Sequence, residues 1–331
     1  MTKDEPAGET GIIERYFAPL AKNTPGAFGL SDDAGLIAPR EGMDLVLTTD
    51  MVVEGVHYLK NTAPRDIAYK ALGVNVSDLC AKGADPSVYL LSIALSGTPD
   101  PQWLDELSEG FAEAQSDFGC TLLGGDTVHT PGPVAISITA AGFVPASEMV
   151  HRSGAVAGDH VYVTGTIGDA ALGLSLLQGS GRDHLSAEQA EFLQRRYWRP
   201  QPRLAVIPVI RTHASAAMDI SDGLAGDFAK LCSASNVGGV INAADVPLSD
   251  AAARWLAQEP KHLGSVLTGG DDYEVLMSVS EKNISAFESD CASSGLQNNC
   301  IGRIASRNEG VQVLGEDGTA MQFEQLSYDH F

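Results

Sequence analysis

The chain has 331 residues, of which 44% are hydrophobic, and its 43 acidic and 21 basic residues give a formal net charge of −22. A single core stops growing at about 250–300 residues, so this length predicts two domains. The charge argues against a nucleic-acid-binding role, because such binding depends on Lys and Arg meeting phosphates. It also means that a site for phosphorylated substrates would need bound cations.

No segment of the sequence has the character of a membrane helix or a secretion signal. The longest apolar stretches, 89–95 and 135–144, are about half of the ~20 residues that a membrane helix needs. The first ten residues are polar and acidic. We therefore expect a cytoplasmic protein with no membrane partner. The cysteines fit neither a zinc nor a disulfide pattern and are predicted to be buried free thiols: Cys80, Cys120, Cys232, Cys291 and Cys300.

The first part of the chain alternates strand and helix signals. Pro64 stands at the first-turn position that proline favours, and it predicts a helix that continues to about Gly83. The other predicted elements are strands at 44–50, 88–95, 120–123 and 134–144 and a helix at 101–118. A polar, glycine-containing stretch at 145–159 then predicts a domain junction.

The second part of the chain repeats the alternation. It begins with a predicted strand at 160–164, a turn and a helix from about Asp169. A strand that ends at 218–220 leads into a helix at Gly223, and further strands are predicted at 273–279 and 300–304. The whole pattern predicts an α/β (α+β) protein with two domains, 1–150 and 151–331.

Aspartate recurs beside Gly, Ser or Thr where apolar runs end. A single Asp of this kind is more often a turn or cap residue. As a set, however, carboxylate and hydroxyl oxygens are the ligands that Mg²⁺ prefers, and Mg²⁺ usually shares its shell with substrate phosphates. The pattern therefore predicts a magnesium site for phosphate chemistry. The segments are 31–35, 48–50, 75–78, 124–127, 219–223 and 269–273.

Asp78 has the least favourable position of these aspartates. It lies near the C-terminal end of the predicted helix, where the macrodipole disfavours a negative charge by about 0.3–1 kcal/mol. A bound cation would reverse that sign. The alternative is an exposed helix end at which solvent screens the charge.

Common phosphotransferase motifs are missing from the sequence. It contains no G-x-x-x-x-G-K-[ST] loop and neither the H-R-D nor the D-F-G signature of protein kinases. A phosphotransferase with this sequence would belong to neither of these classes.

The order of the aspartate segments resembles that of the thiamine-monophosphate kinase family, within the aminoimidazole ribonucleotide synthetase superfamily. Ten short motifs that together span nearly the whole chain carry the resemblance: 31–33 (SDD), 48–50 (TTD), 55–57 (GVH), 75–78 (NVSD), 124–127 (GGDT), 152–154 (RSG), 163–165 (VTG), 219–223 (DISDG), 269–274 (GGDDYE) and 328–331 (YDHF).

This resemblance implies direct, in-line transfer of the γ-phosphate of ATP to thiamine monophosphate, which gives thiamine diphosphate. It also implies a two-domain aminoimidazole ribonucleotide synthetase-like fold and a homodimer. The N-terminal domain would bind ATP and magnesium, and its sheet would form a barrel with that of the partner subunit at the interface. The C-terminal domain would complete the active site.

The resemblance further implies roles for individual residues. Several magnesium ions would be held by Asp33, Thr48, Thr49, Asp50, Asp78, Asp126, Asp219 and Asp222. The nucleotide would contact Gly125, Asp126, Arg152 and Ser221, and thiamine monophosphate would contact His57, Asp271 and Tyr328. Asp126, Arg152 and Asp222 would act in catalysis. The family usually has Glu where this chain has Asp271, so this carboxylate is one methylene shorter.

Several alternatives stay open at this point. Within the superfamily they are a purine-pathway synthetase, a selenophosphate synthetase and a hydrogenase-maturation protein. The last two use a reactive Cys or selenocysteine in a mobile terminal segment, and this chain has no Cys before Cys80. The purine enzyme lacks an ending like that at Tyr328. A non-catalytic calcium-binding protein would also be acidic, but the D-x-[DN]-x-[DN]-G loop is absent.

Overall fold

The computed structural model describes residues 8–98 and 100–328. Its described residues divide into two units. Unit 1 comprises the chain up to Leu79 together with Ala84–Ser147, and unit 2 comprises Cys80–Gly83 together with the chain from Glu148.

The chain of unit 1 alternates helices and strands. Its elements are α1 (Gly8–Ile12), β1 (Met43–Val53), α2 (Pro64–Ala81), β2 (Asp85–Ser96), α3 (Pro101–Phe118), β3 (Thr121–Thr130) and β4 (Ala135–Pro145). The strands form a sheet in the order β1-β4-β2-β3. β4 pairs antiparallel with both β1 and β2, and β2 pairs parallel with β3.

The two faces of this sheet have different surroundings. On one face, apolar strand side chains are buried with α2 and α3; Tyr89, for example, stacks on Phe111 with ring centroids 6.1 Å apart. On the other face, five large apolar side chains are exposed, and we call this face the open face. Its exposed apolar residues are Leu45, Leu47, Met51, Leu90 and Val128.

Unit 2 contains the remaining strands. Its elements are β5 (His160–Thr164), α4 (Asp169–Leu177), α5 (Ala187–Trp198), α6 (Val206–His213), β6 (Ala214–Asp219), α7 (Leu224–Ser235), β7 (Gly238–Asn242), α8 (Asp250–Gln258), α9 (Leu263–Thr268), β8 (Val275–Val279), α10 (Ile284–Ser293), β9 (Asn298–Ala305) and β10 (Val311–Leu314). The strand order is β10-β7-β9-β5-β8-β6. One core cluster includes Met218 and Phe228, and a second, between helices, surrounds Trp255.

The long helices confirm their sequence signals, and two strand predictions need correction. α2 and α3 occupy the predicted helical segments. However, β1 continues past Asp50 and β3 continues past Asp126, so both carboxylates lie inside strands rather than at strand ends. β3 can continue because residue 125 is glycine: a Cβ atom there would lie 1.8 Å from the carbonyl oxygen of Leu91 on β2.

The cysteines differ in their exposure. Cys80, Cys120, Cys232 and Cys291 are buried free thiols as predicted, but Cys300 is exposed, so that part of the cysteine prediction was wrong. Within residues 8–98 and 100–328, no helix has the length and apolar character needed to cross a membrane.

Candidate functional site

Three of the predicted metal ligands lie where β1 meets α2. Thr48 and Asp50 are two residues apart on β1, so their side chains point to the same face of the sheet, the one that α2 covers. The hydroxyl of Thr48 donates a hydrogen bond to the carboxylate of Asp78, in the last turn of α2. The N–H of Asp50 donates to Oδ1 of Asn75, one helical turn earlier (2.9 Å). These contacts hold the segments 48–50 and 75–78 together, and we call them the cluster beneath α2.

The remaining predicted ligands of unit 1 lie on the opposite side of the sheet. Register places Asp126 beside Ser92, and Thr49 opposite Thr139, on the open face. Thr139 donates a hydrogen bond to the hydroxyl of Thr49 (3.2 Å). The sheet therefore separates Thr49 and Asp126 from the cluster beneath α2.

A cavity of about 720 Å³ in unit 1 lies against the open face. Asp33 lines it together with Gly125 and Asp126, so the structure brings a residue of the segment 31–35 to the distant segment 124–127. Its apolar walls include Leu47 and Phe17. An apolar volume with carboxylates along part of its lining suits a ring-bearing, phosphorylated ligand whose phosphates are accompanied by cations.

His57 lies in a tight turn at the end of β1. The ring Nδ1 of His57 accepts a hydrogen bond from the backbone N–H of Val53 (3.1 Å). The backbone N–H of His57 donates to the carbonyl oxygen of Val53 (2.9 Å). Gly55 provides the positive φ (80°) that the turn requires. With Nδ1 acting as an acceptor, the neutral ring carries its proton on Nε2.

In unit 2, the pairing of β6 with β8 continues past the ends of both strands. Three backbone hydrogen bonds extend it: Ile220 N–H to Glu274 O (2.8 Å), Tyr273 N–H to Ile220 O (2.8 Å) and Asp271 N–H to Ser221 O (2.9 Å). The segments 219–223 and 269–274 therefore lie side by side. This arrangement places two predicted metal ligands, Asp219 and Asp222, at the same end of the sheet as Asp271.

Two residues that the sequence analysis missed organise the segment 219–223. Asp227, buried in the first turn of α7, accepts the N–H groups of both Ser221 and Asp222 (3.0 Å each). The Nζ of Lys230 reaches Asp222 (2.5 Å) and Asp227 (2.8 Å). The available sequence signal was an acid in the first turn of the helix that follows Gly223, where the helix dipole favours a negative charge.

Burial and charge act in opposite directions on this pair. Burial raises the pKa of Asp227, and Lys230 opposes that rise. Burial by itself would lower the pKa of Lys230, but its hydrogen bonds to Asp222 and Asp227 outweigh burial and raise it. The Lys230 ammonium therefore stays positive and balances part of the negative charge of these carboxylates.

The segment 269–274 is strained and firmly anchored. Asp271 (φ 73°) and Tyr273 (φ 52°) both have left-handed backbone conformations that are uncommon outside glycine. Glu274, fully buried, accepts hydrogen bonds from Nη2 of Arg196 (2.8 Å) and Nε of Arg203 (2.6 Å). A charge pair of this kind fixes the position of the backbone before β8, which makes the strained conformation sustainable.

Asp272 anchors the same segment to the turn after β5. Both of its carboxylate oxygens accept the N–H of Gly168 (3.0 and 2.8 Å). Asp272 is fully buried, and this burial raises its pKa well above the ordinary value. The side chain of Asp272 points into unit 2, so Asp271 is the one of the two neighbouring aspartates that is available to a ligand.

Tyr328 and Arg152 complete the predicted set. The N–H of Tyr328 donates to the carbonyl oxygen of Asp222 (3.0 Å), and half of its side chain is exposed. Arg152 lies in the exposed stretch before β5, where its carbonyl oxygen accepts a hydrogen bond from the hydroxyl of Ser235 (3.5 Å). Tyr328 therefore joins the loop of Asp222, whereas the backbone of Arg152 is held at the end of α7. Residues 329–331 of the predicted terminal motif lie outside the described residues.

The oxygen atoms that these residues offer a magnesium ion are divided among small groups. Across the described ranges, no three His, Cys, Asp or Glu side chains converge closely enough to hold an ion by themselves. Mg²⁺ does not need such a cage, because it commonly takes one or two carboxylates and completes its shell with water and substrate phosphates. The Thr48–Asp78 pair and the Asp33–Asp126 cavity lining meet that smaller requirement with hard oxygen donors.

Comparison with known proteins covers both units. The family model "AIR synthase related protein, N-terminal domain" matches residues 31–144, and "AIR synthase related protein, C-terminal domain" matches residues 156–314. The curated thiamine-monophosphate kinase of Escherichia coli (strain K12) is 38% identical over 325 residues, which are 98% of each chain.

Solved structures give the same picture. The thiamine-monophosphate kinase from Stenotrophomonas maltophilia K279a aligns with a TM-score of 0.82 at 34% identity, over 92% of this chain and 95% of that one. A structure of AaThiL complexed with AMPPCP and TMP aligns with a TM-score of 0.77 at 31% identity, over 98% of this chain and 97% of that one.

The raised pKa of Asp272 predicts a pH-dependent stability. The folded protein holds this proton more tightly than the unfolded chain does, so the free energy of unfolding should fall as pH rises above 3.8, the ordinary value. Asp272→Asn removes the ionisable group and therefore removes this fall in stability with rising pH. In urea unfolding at a series of pH values, the variant's stability relative to wild type should therefore improve from pH 3.8 toward neutrality.

Asp317→Asn is the matched control. Asp317 is exposed, and hydrogen bonds from Thr319 lower its pKa, so its contribution to stability should change with pH in the opposite sense. A stability difference between Asp272→Asn and wild type that stays constant with pH would contradict the prediction.

Proposed function

Since the chain belongs to the thiamine-monophosphate kinase family of AIR synthase related proteins, we infer that it is a phosphotransferase that makes thiamine diphosphate from ATP and thiamine monophosphate. The observation that carries this conclusion is the 38% identity that extends over 98% of the chain. The direct test is to incubate the protein with both substrates and to measure ADP and thiamine diphosphate. We expect the two products to form in equal amounts. ATP hydrolysis at a rate that does not depend on thiamine monophosphate would refute the function.

We propose direct in-line transfer. A phosphate oxygen of thiamine monophosphate attacks the γ-phosphorus of ATP, the new P–O bond forms, and the bond to the β-phosphate oxygen breaks to release ADP. The second pKa of a phosphate monoester is about 6, so the acceptor is mainly a dianion at neutral pH and needs no general base. The task of the protein is therefore to align two polyanions that repel each other.

The acidic clusters supply that alignment by holding magnesium. Bound Mg²⁺ neutralises phosphate charge and orients the transferring group. In unit 1, Asp78 with Thr48 would form one attachment point, and Asp33 with Asp126 would form another. Asp50 and Thr49 would supplement these points from the two faces of the sheet. Several ions fit this distribution better than one, because the sheet separates the two pairs.

The residues of unit 2 would bind the substrates' phosphates and the acceptor. We propose that Asp219 and Asp222 carry further metal contacts and that Ser221 contacts the nucleotide. In this proposal Arg152 is the planar cation that meets a phosphate group. Asp271 and Tyr328 would contact thiamine monophosphate. In unit 1, His57 would also contact thiamine monophosphate, through its Nε2–H. Gly125 of unit 1 would contact the nucleotide.

Removing divalent metal should abolish turnover, and added Mg²⁺ should restore it, because a protein with a charge of −22 cannot gather two phosphate groups without cations.

Asp78→Asn should lower turnover by about ten- to hundredfold. It should leave the unfolding midpoint unchanged or slightly higher, because Asn still accepts from Thr48 and no longer opposes the helix dipole.

A second measurement separates metal binding from catalysis. The rise in unfolding temperature caused by Mg²⁺ with a non-hydrolysable ATP analogue should be smaller in Asp78→Asn than in wild type. The exposed carboxylate of Asp317, outside the proposed site, provides the control variant Asp317→Asn. Wild-type turnover of Asp78→Asn, or a collapse of its unfolding midpoint, would show a structural role instead.

Asp271→Asn should raise the KM for thiamine monophosphate by about three- to thirtyfold and leave the KM for ATP within about twofold. Asn keeps the size of the side chain and tolerates the left-handed backbone at this position, so the change removes only the charge. Asp272→Asn, at the neighbouring buried carboxylate, is the control for disturbance of the segment. Equal changes in both KM values would place Asp271 on the nucleotide side and overturn its assignment.

We propose that the open face of unit 1 pairs with the same face of a second copy, so that the two sheets form a barrel at a twofold interface. The argument rests on the five exposed apolar side chains of this face, of which Leu47 is 61% exposed. Such a patch on a strand surface is typical of an interface, and the edge strands β1 and β3 would also gain protection there.

Leu47→Asp should therefore convert a dimer of twice 34.7 kDa into a monomer. The substitution places a charge in the centre of a surface that dimerisation would desolvate. Light scattering gives the mass directly. Phe192→Asp, at an exposed apolar position on α5, should stay dimeric. A wild-type protein that is a fully active monomer would exclude the proposed barrel.

A further inference from the structure

The C-terminal segment 326–328 crosses the first turn of α7 at a glycine. A Cβ atom built on Gly226 would lie 2.4 Å from the Cβ of Ser327 and 2.9 Å from the carbonyl oxygen of Leu326. These two atoms cannot move away by a side-chain rotation, because a Cβ and a carbonyl oxygen are fixed to the backbone. The segment can therefore follow its observed course only if residue 226 is glycine.

Glycine at this position opposes the helix itself. Gly226 is buried in the first turn of α7, and glycine within a helix is less favourable than alanine because it loses more backbone freedom on folding. The backbone conformation of Gly226 does not require glycine either, since its φ is not positive. The close approach of Ser327 is thus the structural reason for a glycine here.

The crossing determines where Tyr328 lies. One residue after Ser327, the N–H of Tyr328 donates to the carbonyl oxygen of Asp222 (3.0 Å). The segment is also tied further upstream, because Met321 donates its N–H to Val313 in β10 and Phe323 packs on the core of unit 2. Tyr328 therefore sits on the segment that carries Asp222, with half of its side chain exposed to a ligand.

We infer that Gly226 is a positioning residue for substrate binding: it lets the C-terminal segment dock on the first turn of α7, and this docking places Tyr328 for contact with thiamine monophosphate. Gly226 itself touches no substrate and acts only through Tyr328. The inference rests on the proposed role of Tyr328, and it adds a residue to which neither the sequence motifs nor the predicted site assigned a role.

The test is Gly226→Ala in the full chain. Alanine favours the helix, so the unfolding midpoint should not fall, but its methyl group should displace the segment. Hydrogen exchange of the C-terminal peptide, measured by mass spectrometry, should become faster because the Tyr328 N–H loses its acceptor. The KM for thiamine monophosphate should rise about three- to tenfold, the size of one lost contact, with the KM for ATP unchanged within about twofold.

Two further variants keep the test sharp. Gly264→Ala is the matched control, because Gly264 also lies in a helix, α9, and a Cβ there meets no atom within 4 Å. It should change neither the exchange nor either KM. Adding Ser327→Gly to Gly226→Ala removes the atom 2.4 Å away and should partly restore both slow exchange and the KM for thiamine monophosphate.

The outcomes separate this inference from the proposed function. Unchanged exchange in Gly226→Ala, or faster exchange with an unaltered KM for thiamine monophosphate, overturns the positioning role. A lowered unfolding midpoint with both KM values raised also overturns it, because the glycine then serves only the fold. A wild-type protein with no turnover of thiamine monophosphate would instead refute the proposed function, and the exchange measurement would still report whether the segment docks.

Discussion

Two guanidinium groups, that of the buried Arg196 and that of the half-buried Arg203, hold Glu274 at the base of the segment 269–274, and the loops at this end of unit 2 depend on that contact. Arg196 and Arg203 fix the carboxylate of Glu274, and the carbonyl oxygen of Glu274 accepts the N–H of Ile220. The ladder between 219–223 and 269–274 begins there. Replacing Glu274 with a neutral residue would take the closest carboxylate away from the buried charge of Arg196, and breaking a buried pair in this way is typically strongly destabilising. The strained backbone at Asp271 would then lose its support.

Asp227 provides the corresponding constraint on the neighbouring segment. Its carboxylate accepts two consecutive N–H groups, so the backbone at Ser221 and Asp222 is fixed from the helix side. Asp222 then makes two different contacts. Its side chain contacts the ammonium of Lys230, and its carbonyl oxygen accepts the N–H of Tyr328 in the C-terminal segment. A single buried carboxylate in this way links the proposed metal site to the proposed substrate contact.

The net negative charge of the protein gives a common physical explanation for these small groups of carboxylates. A chain with 43 acidic residues and only 21 basic ones repels the phosphates of both substrates. In the proposed function, carboxylates placed in small groups would bind cations, and these cations would attract phosphate. Unit 1 uses both faces of one sheet for such groups, because period-2 alternation sends Thr48 and Thr49 to opposite sides.

The sequence by itself determined the net charge, the aspartate motifs and their order, the two long helices of unit 1 and the family to which the chain is similar. Those features are local or additive, so they can be read from neighbouring residues. Only the tertiary structure decided that Asp50 and Asp126 lie within strands, that Asp227 holds the 219–223 segment, and that Gly226 receives the C-terminal segment. The physical reason is that these contacts join residues far apart in the chain. They depend on strand order and register and on the close approach of two backbones, which no local pattern of residues encodes.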